Sequence, residues 1–168
     1  CSSHRARNFR NWDVQNYAAV IEHLESQYDA RIVLTGGSSD HEEDYGLALA
    51  SDSDAENLVG RTSLKQLAAL IAAADLVICP DSGPAHMATA LGTDVIGLYA
   101  TSNPDRTGPY LSKTFTINRY PDAIKRYLGK NVADVAWGQR VRDADAMGLI
   151  AVTDVLKVTD YFFDNRDN

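Results

Sequence analysis

The chain has 168 residues, which is enough for one domain with a hydrophobic core, and its 45% hydrophobic and 23% charged content is typical of a folded globular protein. Its net charge of −7 argues against broad nucleic-acid binding, which needs a basic face, although three arginines crowd into the first ten residues. No apolar run approaches the ~18 residues of a membrane span, and the two cysteines form neither a disulfide framework nor a metal motif.

The start of the chain has neither an initiator methionine nor the apolar core of a signal peptide. The only methionines are Met87 and Met147. We therefore expect either a piece of a longer protein or a chain whose start was not retained. The absence of a disulfide framework predicts a reducing, cytoplasmic setting. Cys79 lies within a predicted core strand and is expected to be a buried, small apolar residue.

Helices and strands alternate along the first hundred residues. Apolar residues recur at helical spacing behind Asp13, a capping residue, and Ser63 with Gln66 forms a capping box for a helix over residues 64–74. A polar loop at residues 38–43 precedes a weak helix. Strands are predicted at residues 31–35, 57–60, 75–79 and 94–99. This alternation predicts an α/β protein with a doubly wound parallel sheet, which binds ligands outside the carboxyl ends of its strands.

Beyond residue 100 the pattern is less regular. A turn-rich loop is predicted at residues 103–109, an edge strand at 114–117 and a short helix at 121–128. Thr153 is expected to cap a final helix. Because no repeat or linker is visible, we expect a single domain over residues 1–168.

The most informative segment is PDSGPAH at residues 80–86, which follows a predicted buried strand and opens a short helix closed by Gly92. Pro84 suits the first helical position, and Gly83 lets a ligand approach the backbone. The resulting helix N-terminus is an anion site, whose usual occupant is phosphate. Asp81 repels phosphate, but it can accept hydrogen bonds from hydroxyls of a group attached to the phosphate.

Several short motifs accompany this segment. They are NW at residues 11–12, GG at 36–37, DHE at 40–42, RTSL at 61–64, DSGPAH at 81–86, ALGT at 90–93 and TSNPDRTGP at 101–109. Together they resemble glycosyltransferase family 9, the ADP-heptose:lipopolysaccharide heptosyltransferases, over residues 2–109 and weakly beyond. The resemblance implies a Rossmann-like doubly wound parallel sheet, the C-terminal half of a GT-B glycosyltransferase, which binds the nucleotide-sugar donor.

In that family the general base and most of the acceptor site belong to the N-terminal domain. The resemblance therefore implies no catalytic residue in this chain, no cofactor and no bound metal. It also implies that the full-length protein transfers heptose from ADP-heptose to the lipopolysaccharide core with inversion, in the cytoplasm or at the inner membrane face. The isolated chain is expected to bind nucleotide weakly and to be inactive.

The resemblance places ten residues in the donor site. They are Ser2, Ser3, Arg10, Asp40, Glu42, Thr62, Asp81, Ser82, Gly83 and Pro84. Asp81 would bind sugar hydroxyls, and the turn at residues 82–84 would meet the diphosphate. Arg10 would stabilise charge on the leaving group, a role that Arg5 or Arg7 could take instead. Thr62 would lie along the adenine.

Structural alternatives accompany these assignments. Asp81 could be only a helix cap, Arg10 a solvated arginine, and Ser63 a helix cap. The carboxylates at positions 40, 42 and 43, one of which could bind the ribose, could instead serve only the helix dipole. His86 is expected to pack behind the turn rather than to act as an acid or base. Trp12 is expected to be a core anchor.

Two other functions fit the same architecture. One is a nucleotide-sugar epimerase, which would form product without an acceptor. The other is a non-catalytic module that binds nucleotide sugars. A second Rossmann-like half upstream with a well-placed aspartate would favour the transferase, and its absence would favour the module.

Overall fold

The computed structural model describes residues 9–165, which fold into alternating helices and strands. The helices are α1 (Val14–Tyr28), α2 (Asp40–Ala50), α3 (Leu64–Ala73), α4 (Gly83–Leu91), α5 (Pro104–Thr107), α6 (Tyr120–Leu128) and α7 (Val152–Asp164). The strands are β1 (Val33–Leu34), β2 (Glu56–Asn57), β3 (Leu76–Pro80), β4 (Asp94–Tyr99) and β5 (Thr116–Asn118). The predicted α/β class and order of elements are confirmed.

Each pair of neighbouring strands runs parallel. β1 pairs with β2, and β3, β4 and β5 form a three-stranded sheet in that order, with β5 at the predicted edge. β1 and β2 are shorter than predicted, with two residues each. Pro80 at the end of β3 pairs with Leu98 near the end of β4, so the loops after these strands emerge at one edge. That edge is the expected place for a ligand.

The three-stranded sheet is covered on both faces. Ile96 and Leu98 of β4 belong to a core that also includes Trp12 and residues of α1 and α7. Val95 points to the opposite face and joins Cys79 and residues of α3 and α4. Cys79 is buried, as predicted. This layering is that of a doubly wound sheet.

Three predicted helix ends are confirmed. Asp13 accepts a hydrogen bond from the backbone N–H of Gln15 at the start of α1. Ser63 and Gln66 form a reciprocal capping box before α3. Gly92 closes α4 with a φ of 80°, a left-handed conformation that glycine adopts without strain.

Two predicted boundaries are wrong. Ala151 occupies the cap position of α7, so Thr153 lies inside the helix. α2 begins within the loop predicted at residues 38–43, because Ser39 caps it and Glu42 completes a Ser-x-x-Glu pattern. The turn-rich loop after β4 also contains the short helix α5.

Across residues 9–165, no helix combines the length and apolar character that a bilayer span requires.

A polar cluster joins α1 to α7. The Oδ1 atom of Asp160 accepts from the Tyr28 hydroxyl at 2.8 Å and lies 2.6 Å from His23 Nε2. Hydrogen bonding, chiefly from His23, holds the pKa of the Asp160 carboxyl below its usual range. Burial and the hydrogen bond to Asp160 raise the pKa of Tyr28 to about 12.

Asp160→Asn is expected to lower the free energy of unfolding at pH 7 by about 0.5–1 kcal/mol, since a carboxylate that is 41% exposed is screened by solvent. Because the folded-state pKa is depressed, ionised Asp160 stabilises the protein above its unfolded pKa of about 4. That contribution is lost as the pH falls through the folded-state pKa.

Urea unfolding of wild type and variant at pH 7 and pH 3 measures this difference. The gap in unfolding free energy should shrink at pH 3. Asp164→Asn is the matched control, because Asp164 lies on the same helix and is exposed. A gap as large at pH 3 as at pH 7 would contradict the assignment.

Candidate functional site

The site begins where β3 ends. Asp81 follows the last residue of the strand and is only 4% exposed. A buried carboxylate is costly unless it is paired with a cation or hydrogen-bonded. Within residues 9–165, its cationic partners are Arg10 and Arg140, which are both distant in sequence.

Arg10 contacts Asp81 mainly through the backbone. Its Nη1 donates to the Asp81 carbonyl oxygen at 2.8 Å and lies 4.0 Å from the carboxylate Oδ2. The side chain is 14% exposed, so the alternative of a solvated surface arginine is wrong. The structure thus brings together Arg10 and Asp81, two of the residues that the resemblance assigns to the donor site.

Arg140 makes the shorter contact with the carboxylate. Its Nη1 donates to Oδ2 of Asp81 at 3.0 Å. Sequence reasoning missed this residue, because it lies 59 positions from Asp81 in a segment without helical or strand periodicity. An arginine in such a segment carries no local signal that separates it from other surface cations.

The N-terminus of α4 borders Asp81. Ser82 occupies the cap position but makes no side-chain cap bond, so the alternative that Asp81 is only a helix cap is wrong. Pro84 is the second residue of the helix rather than the predicted first, because α4 begins at Gly83. Among residues 9–165, no heavy atom lies within 4 Å of a Cβ built at Gly83, so the described residues leave space beside this turn. The first backbone N–H groups of a helix have no intrahelical partner. This end of α4 can therefore receive an anion.

His86 does not have the predicted role. We expected it to pack behind the turn, but it is exposed on α4. The helix presents Ala85, Ala88 and Thr89 to the core, and His86 lies on another face. The loop is instead held by Arg10, which bonds the backbone of Asp81.

The second glycine-bearing loop, at residues 36–37, is bound to the start of α2 by Glu42. One carboxylate oxygen accepts from the Gly37 N–H at 3.2 Å, and the other accepts from the Ser39 hydroxyl at 2.9 Å. Glu42 is 1% exposed. Asp40 and Glu43 are exposed, so these two carboxylates are open to a ligand.

Thr62 is half-buried and precedes the confirmed cap Ser63. Close to it, Glu43 and Arg61 line a small cavity of about 130 Å³. Gly60 is required in this turn, because its φ is 72° and an added Cβ would meet the Glu43 carboxylate at 2.7 Å. The loop before α3 and the first turn of α2 thus face each other.

The loop after β4 is more buried than its polar sequence indicates. Thr101 and Ser102 are 2% and 3% exposed, and Arg106 is exposed. The Thr101 carbonyl accepts from the Val141 N–H at 3.0 Å, and the backbones of Ser102 and Arg140 form an isolated antiparallel β-bridge. This loop therefore anchors the segment that carries Arg140.

Trp12 is the core anchor that the sequence predicted. It is fully buried, and its indole Nε1 donates to the Ile150 carbonyl at 3.0 Å. The Tyr45 hydroxyl donates to the Trp12 carbonyl. These contacts fix the backbone two residues after Arg10. Ser2 and Ser3, and the alternative cations Arg5 and Arg7, lie outside the described residues.

A family model described as glycosyltransferase family 9 (heptosyltransferase) matches residues 1–130. The chain belongs to this family. It is 34% identical over 149 residues to the lipopolysaccharide core heptosyltransferase OpsX of Haemophilus influenzae, covering 88% of this chain and 43% of OpsX. It is also 34% identical over 112 residues to lipopolysaccharide heptosyltransferase 2 of Salmonella typhimurium, covering 64% of this chain and 32% of that protein.

Solved structures share the fold. The family 9 glycosyltransferase of Veillonella parvula superimposes with a TM-score of 0.71 at 22% identity, covering 96% of this chain and 44% of that one. The ADP-heptose heptosyltransferase II of Escherichia coli gives 0.70 at 24% identity, with the same coverage. The chain thus has the Rossmann-like fold of family 9, and it spans less than half the length of these relatives.

Within this family 9 domain, Arg140 lies outside the residues that the family model matches, whereas Arg10 and Asp81 lie inside them.

No group of three or more metal-ligating side chains occurs among residues 9–165. Burial raises the pKa of the Cys79 thiol to about 11. Cys79 is therefore a protonated core residue at neutral pH and not a nucleophile.

Trp12→Phe is expected to destabilise the protein by about 1–3 kcal/mol, because it removes the donor to the buried Ile150 carbonyl. It should also weaken anion binding, since the backbone next to Arg10 loses its anchor. Chemical unfolding measures the first effect. Trp137→Phe is the matched control, because Trp137 is 62% exposed. Equal stability of the two variants would contradict the anchoring role.

Proposed function

We propose that this domain binds ADP-heptose as the donor for transfer of heptose to the lipopolysaccharide core. The observation that carries the proposal is the convergence of a buried carboxylate, a helix N-terminus and Arg10 at one edge of the sheet. ADP-heptose has matching parts. Its sugar hydroxyls can donate to Asp81, and its diphosphate suits Arg10 and the N-terminus of α4.

The chemistry assigned to this domain is stabilisation of the leaving group. In the transfer, the bond between the anomeric carbon and the β-phosphate oxygen breaks, and its electron pair stays on ADP. The acceptor oxygen forms the new bond from the opposite face of the sugar and loses its proton. Arg10 and the α4 N-terminus would meet the negative charge that grows on the diphosphate.

A second domain would supply the acceptor site and the carboxylate that removes the acceptor proton. The coverage supports this part of the proposal, because the chain spans 43% of OpsX and 44% of the superimposed structures. The names of OpsX and heptosyltransferase 2 support heptose as the transferred sugar and the lipopolysaccharide core as the acceptor. We place the reaction in the cytoplasm, with the full-length protein able to reach the inner membrane face.

The nucleoside would lie between α2 and the loop before α3. Glu42 would act indirectly, since both of its oxygens already hold the glycine loop and Ser39. Asp40 is exposed in the first turn of α2 and can accept from the ribose hydroxyls. Thr62 would border the adenine. Ser2 and Ser3 keep their proposed contacts with the phosphates.

Calorimetric titration of the full-length protein with ADP, UDP and GDP tests the proposal. ADP should bind most tightly. Arg10→Ala should lower the affinity for ADP by about tenfold or more, because a charge-assisted phosphate contact is lost. Asp81→Asn should change ADP affinity little, since its partner is the sugar.

Arg126→Ala serves as the control arginine, because Arg126 is exposed on α6. It should leave ADP affinity unchanged. Equal affinity for the three nucleotides, or binding of none, would contradict an ADP-sugar site. Product formed without an acceptor would favour the epimerase, and nucleotide-sugar binding without transfer by the full-length protein would favour the non-catalytic module.

A further inference from the structure

We propose that Arg140 is a positioning residue for the donor sugar. It holds one carboxylate oxygen of Asp81, so that the other oxygen accepts from sugar hydroxyls. The inference rests on the proposed function and adds a residue beyond positions 1–130, where the family model matches. Its basis is the contact between Arg140 Nη1 and Asp81 Oδ2 at 3.0 Å.

The two arginines at Asp81 have different geometries. Arg10 bonds the backbone carbonyl at 2.8 Å, and its Nη1 is 4.0 Å from Oδ2. Arg140 makes the hydrogen-bonded ion pair with the carboxylate itself. Arg10 can therefore turn toward a diphosphate without removing the close counter-charge of Asp81. The two arginines thus have separate roles. Arg10 binds the phosphates, and Arg140 holds the Asp81 carboxylate.

The hydrogen bonds to the Asp81 side chain from residues 9–165 reach only Oδ2. Oδ1 is left to accept from a ligand. A carboxylate with one anchored oxygen presents the other in a defined direction, which lowers the ordering cost of binding. Without Arg140, Asp81 would be a buried carboxylate whose remaining cationic neighbour among residues 9–165 is the more distant Arg10.

Arg140 is itself held by its neighbours along the chain. The Gln139 carbonyl accepts from the buried Tyr120 hydroxyl at 2.8 Å, and the Val141 N–H donates to the Thr101 carbonyl at 3.0 Å. Val141 is 1% exposed in a core cluster with Tyr120. The guanidinium thus extends from fixed backbone, as a positioning residue requires.

The segment also borders an open cavity of about 830 Å³, which Arg140 and Arg142 both line. Arg142 is exposed and has no ion pair with residues 9–165. Arg142→Gln is therefore the matched control, since it removes the same charge from the same cavity and leaves Asp81 paired.

The test measures how much the sugar adds to affinity. The measured quantity is the dissociation constant of ADP divided by that of ADP-heptose, so a smaller ratio means a smaller contribution from the sugar. Calorimetry on the full-length protein would compare wild type with Arg140→Gln, Arg140→Lys, Arg142→Gln and Asp81→Asn. Arg140→Gln should reduce the ratio about tenfold, which is typical of losing a hydrogen bond between charged groups, and change ADP affinity less than twofold. Arg140→Lys should recover part of the ratio, and Arg142→Gln should match wild type.

The double variant Asp81→Asn with Arg140→Gln removes both charges and avoids an unpaired buried carboxylate. Its ratio should equal that of Asp81→Asn alone, because the two residues act as one unit. If Arg140→Gln keeps the wild-type ratio while Asp81→Asn lowers it, the Arg140 proposal is wrong and the donor site stands. If wild type binds ADP-heptose no better than ADP, the proposed function fails and this inference fails with it.

Discussion

The buried carboxylate of Asp81 sets the constraint on which the rest of the site depends. It is 4% exposed at the end of β3, where charge without a partner would be strongly destabilising. The two cations that contact it among residues 9–165, Arg10 and Arg140, lie 71 and 59 positions away in the chain. The fold must therefore bring the segment before α1 and the segment after α6 back to the same edge of the sheet.

Two anchors hold these segments. Trp12 packs in the main core and bonds the Ile150 carbonyl, which fixes the approach of Arg10. The cluster around Tyr120 and Val141 fixes the approach of Arg140. The site then combines two arginines that extend from anchored backbone with the N-terminus of α4, where no heavy atom of residues 9–165 lies within 4 Å of a Cβ built at Gly83. Such preorganised charge is the means by which a site stabilises a leaving group without reorganising during the reaction.

Local patterns were sufficient to predict the elements and much of the site. The apolar run before Asp81 and the capping box at Ser63 each determine structure over a few residues, and both are confirmed. The helix predicted at Pro84 is present, but it begins one residue earlier, at Gly83. Arg140 could not be found this way, because its role depends on a contact across the fold. His86 was misplaced because its position in the motif does not reveal which face of α4 the core covers. The Ser-x-x-Glu spacing of residues 39–42 is itself a helix-start signal, although the sequence analysis predicts a loop there.

The decisive measurement is a crystal structure of the full-length protein with ADP-heptose. Heptose hydroxyls should lie within hydrogen-bond distance of the Asp81 carboxylate, and the diphosphate should lie between Arg10 and the N-terminus of α4. The Arg140 contact with Oδ2 should persist in that complex. A donor bound with its sugar away from Asp81, or with its phosphates away from α4, would contradict the proposed donor site.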